Sequence, residues 1–553
     1  MPEPAWNNYQ RFCCSPAGLG LTVDVSRMGL TDEFLTRMDS PMREAFGEMA
    51  ELEAGAIANP TEQRQVGHYW LRTPHISPSD PIRRAIESTV ADIRAFAAAV
   101  HVGSLGTESG QPFRHVIIAG IGGSALGPQL LADALGSVDD RMTIAFCDNT
   151  DPNGIDRILD PLSSELDATL IVVTSKSGGT RETHNAMLEI RRRFEIVGLE
   201  FSKHAVAITC EGSRLDQLAR AQGWVRRFPI WDWVGGRTSV TSAVGLLPAA
   251  LLGIDVDAFL AGASACDAVT RVQEIAINPA AWLALAWFHA GNGRGDRAMV
   301  VLPYKDRLLL FGRYVQQLVM ESLGKRLDRA ANVVNQGLNV YGNKGSTDQH
   351  AYVQQLRDGR DDFFATFIQV LAHAAPAAND RPHPQGAASA IDIRRTTATP
   401  NPADETAGSA IGDDLQGFLL GTRQALSDAG RPSITITLDD LSPRTLGVLI
   451  ALFERAVGYY ASLIDVNAYD QPGVEAGKQA ADAVLALQRK LLDTMHYHDR
   501  SARTASDWAA KMNEIEQAET VFHILRYLAA DPSRGVKAIP GDDLFDTRYL
   551  RSD

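Results

Sequence analysis

The feature that most constrains this chain is a repeated alternation of short apolar runs with helical stretches. HVIIAG (115–120), MTIAFC (142–147), TLIVVT (169–174) and HAVAIT (204–209) are strand-length, and helical patterns follow the first and the third. Strands covered on both faces read as continuous apolar runs, and strands alternating with helices imply parallel βαβ units with right-handed crossovers. After Gly253 the pattern restarts. Helical stretches at Val269–Ile277 and Pro279–Ala290 lead to AMVVLP (298–303), with FFATFIQVL (363–371) and SITITL (433–438) further on. The expected fold class is α/β: two doubly wound αβα sandwich domains with mainly parallel sheets, plus helical N-terminal and C-terminal segments. The expected boundaries are 1–85 for a mostly helical segment packing on the second domain, 86–255 and 256–500 for the two domains, and 501–553 for a helical tail. No sequence repeat is evident between the halves. Residues 372–412, rich in Ala, Pro, Asp and Thr without periodicity, read as an exposed loop. Leu441–Ile464 and Val474–Met495 read as long helices, the first apolar nearly all round and so suited to a core or an interface.

A chain of 553 residues is too long for one hydrophobic core. Its 53 Lys and Arg against 67 Asp and Glu give a formal charge of −14, which opposes non-specific nucleic-acid or anionic-membrane binding yet leaves room for a locally positive pocket. Five scattered cysteines without a Cys-x-x-Cys pair point to a reducing compartment and away from a structural zinc site. The start, MPEPAWNNYQ, lacks a basic region followed by an apolar one, and apolar runs such as Ala243–Leu252 are too short to span a bilayer. A cytoplasmic protein with no membrane partner is expected.

Six stretches carry chemistry. GIGGSALGPQ (Gly120–Gln129) follows a strand and opens a helix. Gly122 and Gly123 allow close backbone approach to a ligand, and Ser124 is a natural N-cap at a helix start rich in free N–H groups. It fits a dinucleotide fingerprint only partly, and a plain strand-to-helix turn would read the same. SKSGGTRET (Ser175–Thr183) crowds Ser175, Ser177, Thr180 and Thr183 around Lys176, which suits a phosphate monoester. Two such loops at the carboxyl ends of strands in one sheet mark the edge where ligands bind. GGRTS (Gly235–Ser239) sets Arg237 among small residues. QQLVMESLGK (Gln316–Lys325) places Glu321 on a helix with an apolar face. TDQHAYVQQL (Thr347–Leu356) carries His350, and YDQPGVEAGKQAA (Tyr469–Ala481) places Gln471 before, and Lys478 on the second turn of, a helix. Singly, these four also read as an ion pair, an exposed acid, a capping histidine and a solvated lysine.

Together, in this order and spacing, the six resemble the glucose-6-phosphate isomerase (phosphoglucose isomerase) family, which is built on two sugar-isomerase (SIS) domains. The resemblance runs from HYWLR (His68–Arg72) to Lys478. Leu323 in ESLGK stands where animal-type members have Asn, and the stretch between Glu321 and His350 is shorter, both as in the bacterial form. The resemblance implies reversible conversion of glucose 6-phosphate to fructose 6-phosphate through a cis-enediolate, in glycolysis and gluconeogenesis. It assigns Ser124, Ser175, Ser177 and Thr180, with Gly123 and Lys176 beside them, to the phosphate. Glu321 becomes the base, Arg237 the stabiliser of the enediolate, and His350 with Lys478 the ring-opening pair, while Gln317 and Gln471 contact the substrate. It implies no metal and no other cofactor, a sugar phosphate as the only small-molecule partner, no nucleic acid, and a homodimer whose sites share His350 across the interface. A dual phosphoglucose/phosphomannose isomerase and a non-catalytic phosphosugar-binding protein on the same scaffold stay open as alternatives. The serine-rich second loop argues against a nicotinamide dehydrogenase.

Overall fold

In a computed structural model, residues 5–107, 109–372, 411–498 and 501–552 are described, and the expected loop 372–412 lies almost wholly outside them. The described residues fall into two compact units, 1–470 and 471–553.

The first unit holds two sheets. One has five strands, all parallel, in the spatial order Thr143–Cys147, His115–Ala119, Thr169–Thr174, Ala205–Thr209, Arg226–Pro229. In chain order that is two-one-three-four-five, so the topology reverses beside the first and third strands. The chain leaves those two strands as GIGG and SKSGGT, placing both candidate loops at the switch point where doubly wound sheets bind ligands. The other sheet repeats the pattern. Val340–Tyr341, Ala298–Pro303, Phe363–Val370 and Ser433–Leu438 lie parallel in that order, again two-one-three-four.

The N-terminal segment departs from its helical expectation. Leu21–Arg27 pairs antiparallel with Ser433–Leu438 and extends the second sheet, and Cys13–Cys14 pairs beyond it. LTVDVSR buries Asp24 among its apolar residues, and the Arg423 guanidinium pairs with that carboxylate, so a charge inside the strand masks the pattern.

Burial follows the two-residue period of the strands. Val116, Ile118, Leu170 and Val172 join a core shared with Met299, Val301, Ile434 and Ile436 of the second sheet. Ile117, Ala119, Ile171 and Val173 face the opposite way, against Met187, Ile190 and Leu215. Val300, Leu302 and Phe367 cover the outer face of the second sheet with Leu419 and Leu426. The helix Pro443–Leu463, expected over Leu441–Ile464, is long and apolar enough to cross a membrane by composition, yet almost all of it is buried in this core. At its centre Arg72 bonds Asp267 and Glu454, and Arg455 bonds Glu53 and Asp267, all deeply buried. This network ties HYWLR to three helices, Asp32–Glu53, Val256–Thr270 and Pro443–Leu463.

The second unit has its own core of Leu491, Met495, Trp508, Val521, Leu525 and Tyr549. The helices Pro472–Asp493, Ala505–Lys511 and Ala518–Ala529 surround it. Its end is not helical as expected: Val536–Ile539 and Arg548–Arg551 form an antiparallel pair, and the Trp508 indole donates to Tyr549 O at 2.9 Å.

Candidate active site

The helix Gly123–Leu135 starts two residues earlier than a cap at Ser124 would place it. Gly122, at φ +59°, is the cap, and Ser124 lies in the first turn with no capping bond. Gly123 is dictated by space. A Cβ there would sit 2.0 Å from Gly236 O and 2.9 Å from Arg237 N, so only glycine lets this helix meet the GGRTS turn. Ser239 Oγ also donates to Gly123 O at 3.3 Å.

The second loop folds on its own hydroxyls. Ser175 Oγ accepts from Gly178 N at 3.1 Å and donates to Thr180 Oγ1 at 3.2 Å, and Ser177 Oγ accepts from Gly179 N at 3.1 Å. Thr180 is the residue before the helix Arg181–Ile196, with its hydroxyl free of capping. Ser175 and Thr180 also line a pocket of about 380 Å³ that opens between this helix and Arg214–Ala221. Lys176 does not project toward solvent: its ammonium donates to Asp232 O at 2.7 Å and Val234 O at 3.0 Å. It is a strut from the second loop to the segment before Gly235, and burial, with Arg64 adding, lowers its pKa.

Glu321 ends a single π-helical turn, Gln317–Glu321, a rare form found at functional sites. At about 4.4 residues per turn it brings Gln317 and Glu321 to nearly one face. The Gln317 amide lies against Gly122, 3.2 Å from where a Cβ would stand. Arg237 is almost wholly buried. Its Nε donates to Ser322 Oγ at 2.7 Å, its Nη2 to Asp470 O at 3.1 Å and to Ala468 O. Its Nη1 stands 3.6 Å from Glu321 Oε2, close enough for an ion pair and too far for a hydrogen bond. That oxygen is buried and has no hydrogen-bond partner. Burial lowers the arginine's pKa, and the Glu321 and Asp470 carboxylates oppose the shift. The arrangement is a fixed cation facing a carboxylate oxygen with an open lone pair, suited to taking up a proton and stabilising the anion left behind.

The structure thus joins Gly123, Arg237, Gln317 and Glu321 directly, with Ser175, Ser177 and Thr180 on the neighbouring loop, which Lys176 braces. His350 is exposed at the end of a one-turn helix, Thr347–His350, which the buried Asp348 pins by accepting from Asn343 N at 2.9 Å and Lys344 N at 3.1 Å. Among the described residues no hydrogen bond or ion pair joins its imidazole to Glu321 or Arg237. Gln471 and Lys478 belong to the second unit, the one before the helix Pro472–Asp493, the other exposed on its second turn. The sequence reading passed over Ser322, Lys325 and Asp470, although all three lie inside the quoted motifs.

The family model described as phosphoglucose isomerase matches residues 24–505. A protein of Geobacter sulfurreducens named glucose-6-phosphate isomerase is 54% identical over 545 residues, covering 98% of each chain. A protein of the same name from Thermosynechococcus vestitus is 51% identical over 534 residues, covering 97% of this chain and 96% of the other. Among solved structures, a glucose-6-phosphate isomerase from Chlamydia trachomatis superposes with a TM-score of 0.75 over 94% of each chain at 24% identity, which bears on the fold. With the motifs, the switch-point loops and these relatives in agreement, the chain belongs to the phosphoglucose isomerase family.

Proposed function

We propose that this chain interconverts glucose 6-phosphate and fructose 6-phosphate, with Glu321 as the base. Ser124, Ser175, Ser177 and Thr180 bind the phosphate at the switch point, so that binding energy remote from the reacting carbons orients them. His350 and Lys478 open the ring. Glu321 Oε2 removes the proton from C2, leaving a cis-enediolate whose negative oxygen lies beside Arg237. The same carboxyl then returns the proton to C1. Gln317 and Gln471 take the sugar-contacting roles that the family resemblance gives them. His350 reaches the site from a second copy of the chain, which fits its exposed imidazole and makes the homodimer the working form. Such a base contributes about 10²–10⁴-fold, and one well-placed donor for the oxyanion on the order of 10²–10³ in rate.

The observation that carries this reading is the buried, unpartnered Glu321 Oε2 at 3.6 Å from a buried guanidinium. Its test is Glu321→Gln, followed by deuterium exchange at C2 of the substrate and by a coupled assay with fructose 6-phosphate in chelator. Exchange and turnover should both collapse. Undiminished exchange removes Glu321 as the base.

A further inference from the structure

Lys325 lies four residues beyond Glu321, where the helix has ended and a short strand, Lys325–Leu327, begins. A lysine there could reach water at little cost. Instead its side chain is 5% exposed. An ammonium has three donors, and burial is tolerable only when all three are met. Here they are: Nζ donates to Asp470 O at 2.6 Å, to Asp470 Oδ1 at 2.8 Å and to Glu321 O at 3.2 Å. Asp470 O is shared, because Arg237 Nη2 donates to it as well. The contacts close a ring: Lys325 holds the backbone of Glu321, Asp470 holds Lys325 and Arg237, and Arg237 faces the Glu321 carboxylate. Glu321 and Arg237 are 84 positions apart on different elements, tied directly through Ser322, whose Oγ accepts from Arg237 Nε, and a second time through Lys325 and Asp470.

Resting on the isomerase reading above, we propose that Lys325, held by Asp470, is a positioning residue that fixes the Glu321 carboxylate against Arg237. Lys325 touches no substrate and moves no proton. It stitches the end of the π turn to the same carbonyl that seats the guanidinium, so its loss frees the base without altering the phosphate loop.

The test compares the full-length protein with Lys325→Met and with the double variant Lys325→Met, Asp470→Asn, which leaves no unpaired buried charge. Each is first shown to be folded by a cooperative thermal transition. In the double variant kcat for fructose 6-phosphate should fall about 10²-fold, the loss expected when a reacting group shifts by an ångström, while KM stays within about threefold. The inhibition constant for inorganic phosphate, which reads the serine–threonine loop, should not change. A folded double variant with full kcat overturns the proposal, as does a parallel loss of turnover and phosphate binding, which would make Lys325 merely structural. An unsubstituted protein that fails to interconvert the two sugar phosphates overturns the isomerase reading itself, and this proposal with it.

Discussion

Gly123→Ala adds one methyl group at a place where both neighbours are backbone. The new Cβ falls 2.0 Å from Gly236 O and 2.2 Å from Gly236 C, whereas ordinary contact begins near 3.4 Å. No rotamer relieves this, so the helix Gly123–Leu135 and the Gly236–Thr238 turn must part by more than an ångström. Arg237 rides on that turn, and Glu321 does not. The 3.6 Å separation between them therefore changes. A displacement of that size costs about 10²-fold in rate, and overpacking costs about 1–3 kcal/mol in stability. Steady-state kinetics with fructose 6-phosphate should show the loss in kcat, with a lowered thermal midpoint. Gly417→Ala is the control: it lies exposed on the helix Ile411–Asp428 with nothing near its Cβ, and should leave kinetics intact while stabilising the helix by about 0.5–1 kcal/mol. A rise in KM alone would refute the argument, because the methyl would then obstruct phosphate binding and leave the arginine in place. Unchanged kcat at unchanged stability would refute the packing itself.

Three further outcomes are expected. Arg72→Leu leaves Glu454 buried without its ion-pair partner and Asp267 with Arg455 in place of two guanidiniums, and should destabilise the fold by about 3–5 kcal/mol in denaturant titration, whereas a loss under about 1 kcal/mol would show that the network is dispensable. His68 is fully buried with neither ring nitrogen bonded, and burial first, then Arg72, Arg455 and Arg237, push its pKa well below the usual 6.5. The unfolded chain takes up a proton that the folded one refuses, so stability is intact above the ordinary imidazole range and falls below it, by up to about 1.4 kcal/mol per pH unit; His68→Gln should remove that part of the acid slope, and an unchanged slope would contradict it. Finally, Glu321→Gln and His350→Ala should each be inactive alone, yet refolded together they should recover about a quarter of full activity, since half the dimers are mixed and each mixed dimer keeps one intact site; no recovery would place His350 in the same subunit's site.

The two sheets were legible because buried parallel strands carry their own signature. TLIVVT is buried at every position, and its apolar run leaves little choice. The same logic hid three elements. Leu21–Arg27 hides behind Asp24, whose charge is met by Arg423 from 399 positions away. Arg226–Pro229 is an edge strand with two exposed arginines, and Val536–Ile539 exposes three of its four residues. Edge and hairpin strands need only half an apolar face, and a short half-face resembles a loop. What completes each of these strands is a distant partner, which a local pattern does not contain.

The site divides along a similar line. Glu321, Arg237 and the hydroxyls of the second loop stood out in the sequence only as members of an ordered set of motifs, since singly each also reads as an exposed acid, an ion pair or a capping loop. Contacts that tie one element to another were harder to read. Ser124 looked like a cap and is not one, since Gly122 can take the left-handed turn that ends the strand. Lys176 was expected beside the phosphate, and what the sequence did not announce is that its ammonium donates to two backbone carbonyls. Lys325 and Asp470 sat unnoticed inside quoted motifs, because their partners are the main chain of Glu321 and the guanidinium of Arg237. A carbonyl is the same at every residue, so nothing in the sequence announces which one a lysine will seek. The separation of Glu321 from Arg237 thus depends on groups that carry no sequence signal of their own, and substitutions at Lys325 or Gly123 should weigh on it as heavily as their place in that frame dictates.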